Sequence, residues 1–160
     1  MMKLGILSDT HGNVDNVAKA MDIFKEHGVQ EIIHCGDVGL GVIPLLAELP
    51  CHFVSGNCDG RSLESEIARH EQTFHGLLGQ LERDGTRIGF LHGDDYFVFE
   101  ELIEFPRFDL ICYGHTHVFE WRIAKGVKLL NPGALARTPS PSVAILDVPD
   151  LKVKMCPIRH

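Results

Sequence analysis

The chain has 160 residues, a formal net charge of −7, 44% hydrophobic residues and 23% charged residues. This length and composition predict one globular domain over residues 1–160 that buries a core without disulfides. The negative charge, with no run of Lys or Arg, argues against partners such as duplex nucleic acid or an anionic membrane.

The first predicted strand covers residues 3–8 as an almost continuous apolar run, which is typical of a central strand buried on both faces. Asp9 and His11 follow it, and side chains two residues apart in an extended chain point to the same side. Both can therefore reach one metal ion, and Gly12 lets the backbone turn afterwards. An aspartate that caps the next helix, with His11 uninvolved, explains this pair equally well.

Apolar residues at helical spacing predict a helix from residue 14 to His27-Gly28, and a second strand over residues 31–35 ends in Gly36-Asp37. A short helix over residues 43–49 and a third strand over residues 52–54 lead into a polar loop at 55–60. This alternation predicts parallel strands with right-handed crossovers. Such sheets place their sites at the carboxyl ends of the strands, where each of these strands delivers polar side chains.

The middle of the chain is compatible with a helix over residues 64–70 and with strands at 72–75 or 79–82. A clearer strand over residues 86–91 ends in His92-Gly93, and a helix is predicted over 97–103. The strand over residues 109–113 ends in Gly114-His115-Thr116-His117, where two imidazoles share one face. Four short strands, expected to be antiparallel and to form a second sheet, follow at 119–123, 127–130, 143–147 and 153–158.

The polar residues that follow the predicted strands form a set of oxygen and nitrogen donors without sulfur: Asp9, His11, Asp37, Asn57, His92, His115 and His117. Such donors suit Mn²⁺, Fe, Zn²⁺ or Ni²⁺. They are too many for one four-coordinate zinc, so we expect two divalent ions. In two-metal sites the ions lie roughly 3.5–4 Å apart, activate water and screen the charge of a phosphoryl group.

The motifs Asp9-x-His11, Gly36-Asp37, Gly56-Asn57-x-Asp59, His92-Gly93 and Gly114-His115-Thr116-His117 resemble, in order and context, those of the calcineurin-like metallophosphoesterases. The chain is most similar to the compact bacterial and archaeal phosphodiesterases of that superfamily, which are related in fold to the retromer-subunit scaffold protein. The resemblance implies an α/β fold in which a two-sheet β-sandwich is flanked by helices in four layers. It also implies hydrolysis of a small phosphodiester by attack of a hydroxide held by two metals, of which Mn is the first expectation and Ni, Zn or Fe are alternatives.

The resemblance also implies a role for each residue. One ion would be held by Asp9, His11 and His117 and the other by Asn57, His92 and His115, with Asp37 as the bridge. Asp37, Asn57 and His92 are then the expected catalytic residues, and Asn13 and Cys58 are candidate substrate-binding residues.

Cys58 departs from the wider superfamily, which often has a histidine after the asparagine that can protonate the leaving oxygen. A thiol is a poorer hydrogen-bond partner and no evident replacement acid. We therefore predict a preference for diesters with good leaving groups, which Cys58→His should relax. Simple packing is the alternative role for this side chain.

Other residues have structural and functional interpretations. Asn131-Pro132-Gly133 resembles a turn that lies close to the site in this superfamily, but an ordinary turn is the interpretation we favour. Asp59 is interpreted as a residue that orients a ligand such as Asn57 or a histidine, or that caps a loop. Arg137 is a candidate contact for substrate oxygens, with a water-exposed surface position as the alternative. Residues 97–99 with Leu102 are assigned to the core. Six histidines match no ligand motif and are expected at the surface or in the core: His27, His34, His52, His70, His75 and His160.

Two other functions are alternatives to phosphodiesterase activity. One is a phosphomonoesterase or a small nuclease, and the other is a non-catalytic scaffold whose site has been lost, which is disfavoured because every ligand position keeps a ligand. The five scattered cysteines lack a Cys-x-x-Cys spacing, so most are expected to be reduced and buried. No apolar run reaches the roughly 18 residues of a membrane helix, and no secretory signal is recognised, so we expect a cytoplasmic location. A homodimer is compatible with the sequence.

Overall fold

The computed structural model describes residues 1–159, and His160 lies outside the described residues. The helices are α1 Val14–Glu26, α2 Ile43–Leu46, α3 Ser62–Arg69 and α4 Tyr96–Glu104. The first strands are β1 Met2–Leu7, β2 Glu31–His34, β3 Cys51–Phe53, β4 Thr73–Phe74, β5 Leu78–Arg83 and β6 Thr86–Leu91. The others are β7 Leu110–Cys112, β8 Glu120–Ala124, β9 Val127–Asn131, β10 Ser142–Val148 and β11 Lys152–Pro157. Both candidate strands of the middle region, β4 and β5, are therefore formed.

The first sheet has six strands in the order β11-β10-β1-β2-β3-β4. β1 is parallel to β2, β2 to β3 and β3 to β4, which confirms the predicted parallel half. β1 lies in the interior of the sheet, as its apolar run predicts, because β10 pairs with its other edge. The carboxyl ends of β1 and β2 therefore meet at one edge of the sheet.

The second sheet has five strands in the order β5-β6-β7-β9-β8. β6, β7 and β9 are parallel neighbours, and antiparallel β5 and β8 form the edges. The prediction that the last four strands form this sheet together was wrong. β10 and β11 return to the first sheet, where β10 runs antiparallel to β1 with Met2 opposite Val148.

The two sheets pack face to face between two layers of helices, which confirms the predicted four-layer sandwich. Residues such as Ile6 and Ile33 of the first sheet share a buried cluster with Phe90 and Leu110 of the second. The first three helices cover the outer face of the first sheet, and α4 covers that of the second. Gly5 in β1 is needed for this packing, since a Cβ there would lie 2.8 Å from the Phe24 ring of α1.

Helix α4 differs from the prediction in the face that it buries. Leu102 is buried as expected, but Phe97 is 83% exposed and Val98 39% exposed, so their assignment to the core was wrong. The helix begins at the N-cap Asp95, whose carboxylate accepts from the amides of Phe97 and Val98. This cap places both residues in the first turn, where they point away from the sheet.

Four of the five free cysteines are buried, as predicted, and Cys58 is exposed. None of the helices in residues 1–159 combines the length and the apolar character needed to cross a bilayer.

Candidate metal centre

The loops that follow β1 and β2 run side by side. The amides of Asp9 and His11 donate to the carbonyls of Gly36 and Asp37, both at 3.0 Å. These two strands are parallel neighbours, so the loops leave the sheet at the same edge. The arrangement brings the first two predicted motifs together although 28 residues of sequence separate Asp9 from Asp37.

Asp9 is completely buried, and its two carboxylate oxygens have different surroundings. Its Oδ2 accepts from the Ser8 hydroxyl at 2.7 Å and from the His115 amide at 3.0 Å. Its Oδ1 faces three imidazoles, with His117 Nε2 at 3.2 Å and the Nε2 atoms of His11 and His92 at 3.8 Å. Asp9 is therefore held in place by one oxygen and leaves the other available as a ligand.

The two carboxylate oxygens of Asp37 also have different surroundings. Its Oδ1 accepts from the Cys58 amide at 2.8 Å, while Oδ2 lies 3.2 Å from His92 Nε2 and 3.6 Å from His11 Nε2. Burial alone would raise the pKa of Asp37, but interactions with His92 and the Cys58 amide outweigh it and hold the pKa well below its usual range. The carboxylate is therefore ionised at neutral pH, as a bridging ligand requires.

The histidines present their Nε2 atoms to these carboxylates. The buried His92 places Nδ1 2.8 Å from the Cys35 carbonyl, so Nδ1 carries the hydrogen and Nε2 is the atom that faces the centre. Burial disfavours its charged form, but the nearby carboxylates outweigh burial and raise the pKa of His92 to about 9. Burial and the charge of Arg137 instead lower the pKa of His11, which favours a neutral imidazole. His117 Nδ1 lies 3.4 Å from the Arg137 carbonyl.

Three of the converging atoms are buried and have no hydrogen-bond partner: Asp9 Oδ1, His11 Nε2 and His92 Nε2. Buried polar atoms without partners are costly, and a bound cation would satisfy all three. Ligand atoms of Asp9, His11 and His117 lie within 4.8 Å of one another, and the same holds for Asp9, Asp37 and His92. These two overlapping groups of oxygen and nitrogen donors fit divalent metal ions.

Asn57 and His115 lie at the exposed rim of the centre. The His115 ring centroid lies 5.1 Å from that of His92, and its main chain contacts Asp9. Asn57 Nδ2 lies 3.8 Å from the Cys58 sulfur. His115 is in none of the compact groups of possible His, Cys, Asp and Glu ligands found among residues 1–159. The predicted roles of both residues as ligands stay predictions.

Both candidate substrate-binding residues have structural contacts. Asn13 caps α1, since its Oδ1 accepts from the Asn16 amide at 3.0 Å. Cys58 has a sulfur within 4.8 Å of ligand atoms of His11 and Asp37. Desolvation and the Asp37 charge raise the pKa of Cys58, so it stays a thiol at neutral pH. Contact of either residue with substrate remains a prediction.

Asp59 and Asn131, for which the sequence allowed more than one role, form hydrogen bonds to the loops that carry the candidate ligands. Asp59 accepts from the amides of Asp37 at 2.9 Å, Val38 at 2.9 Å and Gly56 at 2.8 Å, so it orients Asp37 rather than Asn57 or a histidine. The buried Asn131 donates to the Gly114 carbonyl at 3.1 Å, which places the predicted turn directly beneath the loop of His115 and His117. Ser8, which the sequence interpretation assigned only to the strand, contacts Asp9. The only sequence signal for this contact was that Ser8 directly precedes Asp9.

The main chain of the centre adopts unusual conformations. Six non-glycine residues at or beside the centre have positive φ angles between 41° and 71°: Asp9, His11, Asp37, His115, His117 and Arg137. Such backbone is strained for L-residues and persists where the surrounding structure enforces it, which is typical of functional sites. Gly56 is required for close approach, because a Cβ there would lie 2.2 Å from Asp37 Oδ1.

A cleft of about 350 Å³ opens beside the centre. The candidate ligands His11 and Asp37 line it together with Cys58, Arg137 and Leu63. The cleft therefore combines the metal-ligand candidates with a cation and an apolar surface.

Comparison with known proteins agrees with this geometry. The calcineurin-like phosphoesterase superfamily domain matches residues 2–151. Phosphodiesterase MJ0936 of Methanocaldococcus jannaschii is 32% identical over 154 residues, which are 91% of this chain and 93% of that protein. The solved structure of an archaeal phosphodiesterase superposes with a TM-score of 0.88 at 32% identity, covering 98% of this chain and 99% of the other. Vacuolar protein sorting 29 of Cryptosporidium parvum, at 18% identity, a TM-score of 0.68 and coverage of 98% and 96%, shares the fold.

The resemblance seen in the five sequence motifs is thereby confirmed by independent comparisons of sequence and of structure. Both the domain match and the archaeal relative span more than nine-tenths of the chain. The chain belongs to the calcineurin-like phosphoesterase superfamily.

Proposed function

We propose that this protein is a metal-dependent phosphodiesterase that hydrolyses a small phosphodiester. The observation that carries the proposal is the convergence of three buried, unpartnered atoms beside Asp37 Oδ2. Asp9 Oδ1 and His11 Nε2 come from the loop after β1, and His92 Nε2 comes from the loop after β6. A protein that needed only a stable fold would gain from satisfying these atoms internally. The relative at 32% identity is itself a phosphodiesterase.

In this proposal two divalent ions are held by the chain. Asp9, His11 and His117, which the structure brings together, would hold one ion. His92 would hold the other with Asn57 and His115, and Asp37, which lies beside both His11 and His92, would be the shared ligand. When bound, such ions supply Lewis acidity and positive charge for phosphoryl transfer to water. Mn²⁺ is the proposed native metal, with Ni²⁺, Zn²⁺ and Fe as alternatives, because the donor set contains imidazoles and carboxylates.

The protein's own contribution is to fix ligands and to bind the substrate. The hydrogen bonds to the Oδ2 of Asp9 and the Oδ1 of Asp37 hold each carboxylate in one orientation before substrate arrives. Arg137 lines the cleft and adds a fixed positive charge for an ester oxygen. This local charge offsets the net charge of −7, which by itself repels an anionic substrate.

The leaving group receives little help from a general acid at position 58. Because its pKa is raised, Cys58 is a thiol at neutral pH and a weaker acid than an imidazolium. This supports a substrate whose leaving oxygen is stable as an anion. It also favours phosphodiesters with such leaving groups over alkyl phosphomonoesters.

Two alternatives stay open to experiment. A phosphomonoesterase or small nuclease would use the same ligands, and only the substrate would differ. The scaffold alternative shares the fold, but among residues 1–159 each of the seven ligand positions keeps a side chain that can bind metal.

We further propose that the protein acts in the cytoplasm, which the free cysteines support. A homodimer remains a prediction.

The test is hydrolysis of a chromogenic phosphodiester and its matching monoester by metal-stripped protein reloaded with Mn²⁺, Ni²⁺, Zn²⁺ or Mg²⁺. We expect diester cleavage that requires metal, exceeds monoester cleavage and is lost in Asp37→Asn, which keeps the shape of the side chain but removes its charge. Asp22→Asn, at an exposed position of α1, is the matched control. Silence with every metal would favour the scaffold, and faster monoester cleavage would favour a phosphomonoesterase.

A further inference from the structure

His34 is a fully buried histidine next to the metal centre that matches none of the ligand motifs. It is the last residue of β2, and its ring stacks on Phe53 of β3 with the ring centroids 5.6 Å apart. Among the described residues, it makes no hydrogen bond to the side chain of a candidate metal ligand. Its two ring nitrogens instead contact the main chain and a side chain of the two loops that carry the ligands.

The hydrogen bonds of His34 determine its tautomer. The Gly36 amide donates to Nδ1 at 3.0 Å, so Nδ1 carries a lone pair and the hydrogen must be on Nε2. Nε2 lies 3.0 Å from the Thr10 hydroxyl oxygen and donates to it, and the Thr10 hydroxyl donates in turn to the Val38 carbonyl. Burial lowers the pKa of His34 to about 3, which keeps the ring neutral in this arrangement. Every donor in this chain of bonds therefore has an acceptor.

The positions of the partners give these bonds their significance. Thr10 lies between Asp9 and His11, so fixing its side chain fixes the turn from which both point. Gly36 directly precedes Asp37, and a Cβ at Gly36 would lie 2.9 Å from His92 Nδ1, so the main chain there has little freedom. The imidazole of His34 thus joins the loop after β1 to the loop after β2 at the point where their ligands converge.

We infer that His34 is a positioning residue that sets Asp9 and His11 in register with Asp37 for metal binding. The inference rests on the proposed metal-dependent function. An apolar side chain of similar size would fill the space but would leave the Gly36 amide and the Thr10 hydroxyl without their partner. Residues that orient metal ligands in this way commonly change metal affinity by about 10- to 100-fold when replaced.

The two bonds can be removed separately. His34→Asn keeps an oxygen that accepts from an amide two residues along the chain, as in an Asx-turn, but is too short to reach Thr10. His34→Gln extends far enough to donate to Thr10 but loses the ring geometry that accepts from Gly36. Thr10→Val removes the hydroxyl with little change of shape, and Thr10→Ser restores it.

The experiment measures Mn²⁺ dissociation constants by calorimetry on metal-stripped protein, with thermal unfolding of the same samples. We expect His34→Asn, His34→Gln and Thr10→Val each to weaken Mn²⁺ binding about tenfold or more, and Thr10→Ser to bind within about threefold of the wild type. The double variant His34→Asn/Thr10→Val should bind no more weakly than the weaker single variant, because the bond between His34 and Thr10 that His34→Asn removes is already lost in Thr10→Val, together with the bond from Thr10 to Val38.

His52→Asn is the matched control, since His52 is also a buried strand histidine with two side-chain partners, Glu31 and His75. We expect it to lower the unfolding temperature without changing the Mn²⁺ dissociation constant. Unchanged affinity in His34→Asn and Thr10→Val, or equal loss in His52→Asn, would overturn the inference. If the His34 variants do not fold, the comparison of Thr10→Val with Thr10→Ser decides by the same criterion. A wild-type protein that binds no Mn²⁺ would instead refute the proposed metal dependence itself.

Discussion

Replacing Asp59 by asparagine should destabilise the protein and weaken its metal binding together. The carboxylate accepts three main-chain hydrogen bonds, and one of the donors is the amide of Asp37. Asparagine keeps one accepting oxygen, which can face the Asp37 and Gly56 amides, but its amino group then faces the amide of the buried Val38. An unsatisfied buried donor costs about 1–3 kcal/mol, so we expect the free energy of unfolding to fall by about 2 kcal/mol.

The assay is denaturant unfolding of Asp59→Asn in the presence of a chelator, followed by Mn²⁺ titration of the folded protein. The chelator matters because bound metal would otherwise add to the stability of the wild type. Asp22→Asn, an exposed substitution of the same kind, should change the unfolding free energy by less than about 0.5 kcal/mol. An Asp59→Asn protein that is as stable as this control and binds Mn²⁺ normally would refute the role assigned to Asp59.

Three further outcomes are expected. Mn²⁺ at a hundred times its dissociation constant should stabilise the fold by about 2.7 kcal/mol, seen as a higher unfolding temperature that EDTA reverses; an unchanged temperature would contradict metal binding to the folded state. Burial would raise the pKa of Glu31, but hydrogen bonds from Arg83 and His52 outweigh burial and lower this pKa. The ionised Glu31 therefore stabilises the fold at pH values above the pKa that it has in the unfolded chain, and this stabilisation is lost as the pH falls through its pKa in the folded protein. Glu31→Gln should therefore be less stable than the wild type at pH 7, with the difference shrinking below about pH 4 in pH-dependent unfolding, and a constant difference would refute this assignment. Cys58→His should raise activity on diesters with poorer leaving groups relative to good ones in steady-state assays, and an unchanged ratio would remove Cys58 from the explanation of substrate preference.

The parts of the fold that depend on local sequence were predictable. The apolar run of β1, the helical spacing of α1 and the strand at β6 have the bounds expected to within two residues. The convergence of Asp9 with Asp37 was also predictable, because parallel strands joined by a right-handed crossover place their carboxyl ends at one edge.

The partners of the last strands could not be read from periodicity. β10 has the apolar pattern of a buried strand, and that pattern suits either sheet equally well. Its place beside β1 follows from the packing of the whole molecule. For the same reason the exposure of Phe97 was missed, because the face that α4 buries depends on where its N-cap fixes the first turn.

The supporting residues of the centre were the hardest to predict. Asp59 and His34 both accept hydrogen bonds from main-chain amides, and an amide carries no sequence signal that identifies its partner. A ligand motif states which residue types a metal needs, whereas the residues that orient those ligands depend on the three-dimensional course of the loops.

The pairing of β10 with β1 has a consequence for how the centre is assembled during folding. The carbonyl of Asp9 accepts from the amide of Ala136 at 3.0 Å, and that segment is held in place by β10. The first ligand loop in the chain is therefore completed by contacts more than 120 residues later in the sequence. Closure of such long loops is slow because its entropic cost precedes the stabilising contacts. During synthesis, we expect the candidate ligands of the first half to reach their final positions only after the last strands of the sheet have formed.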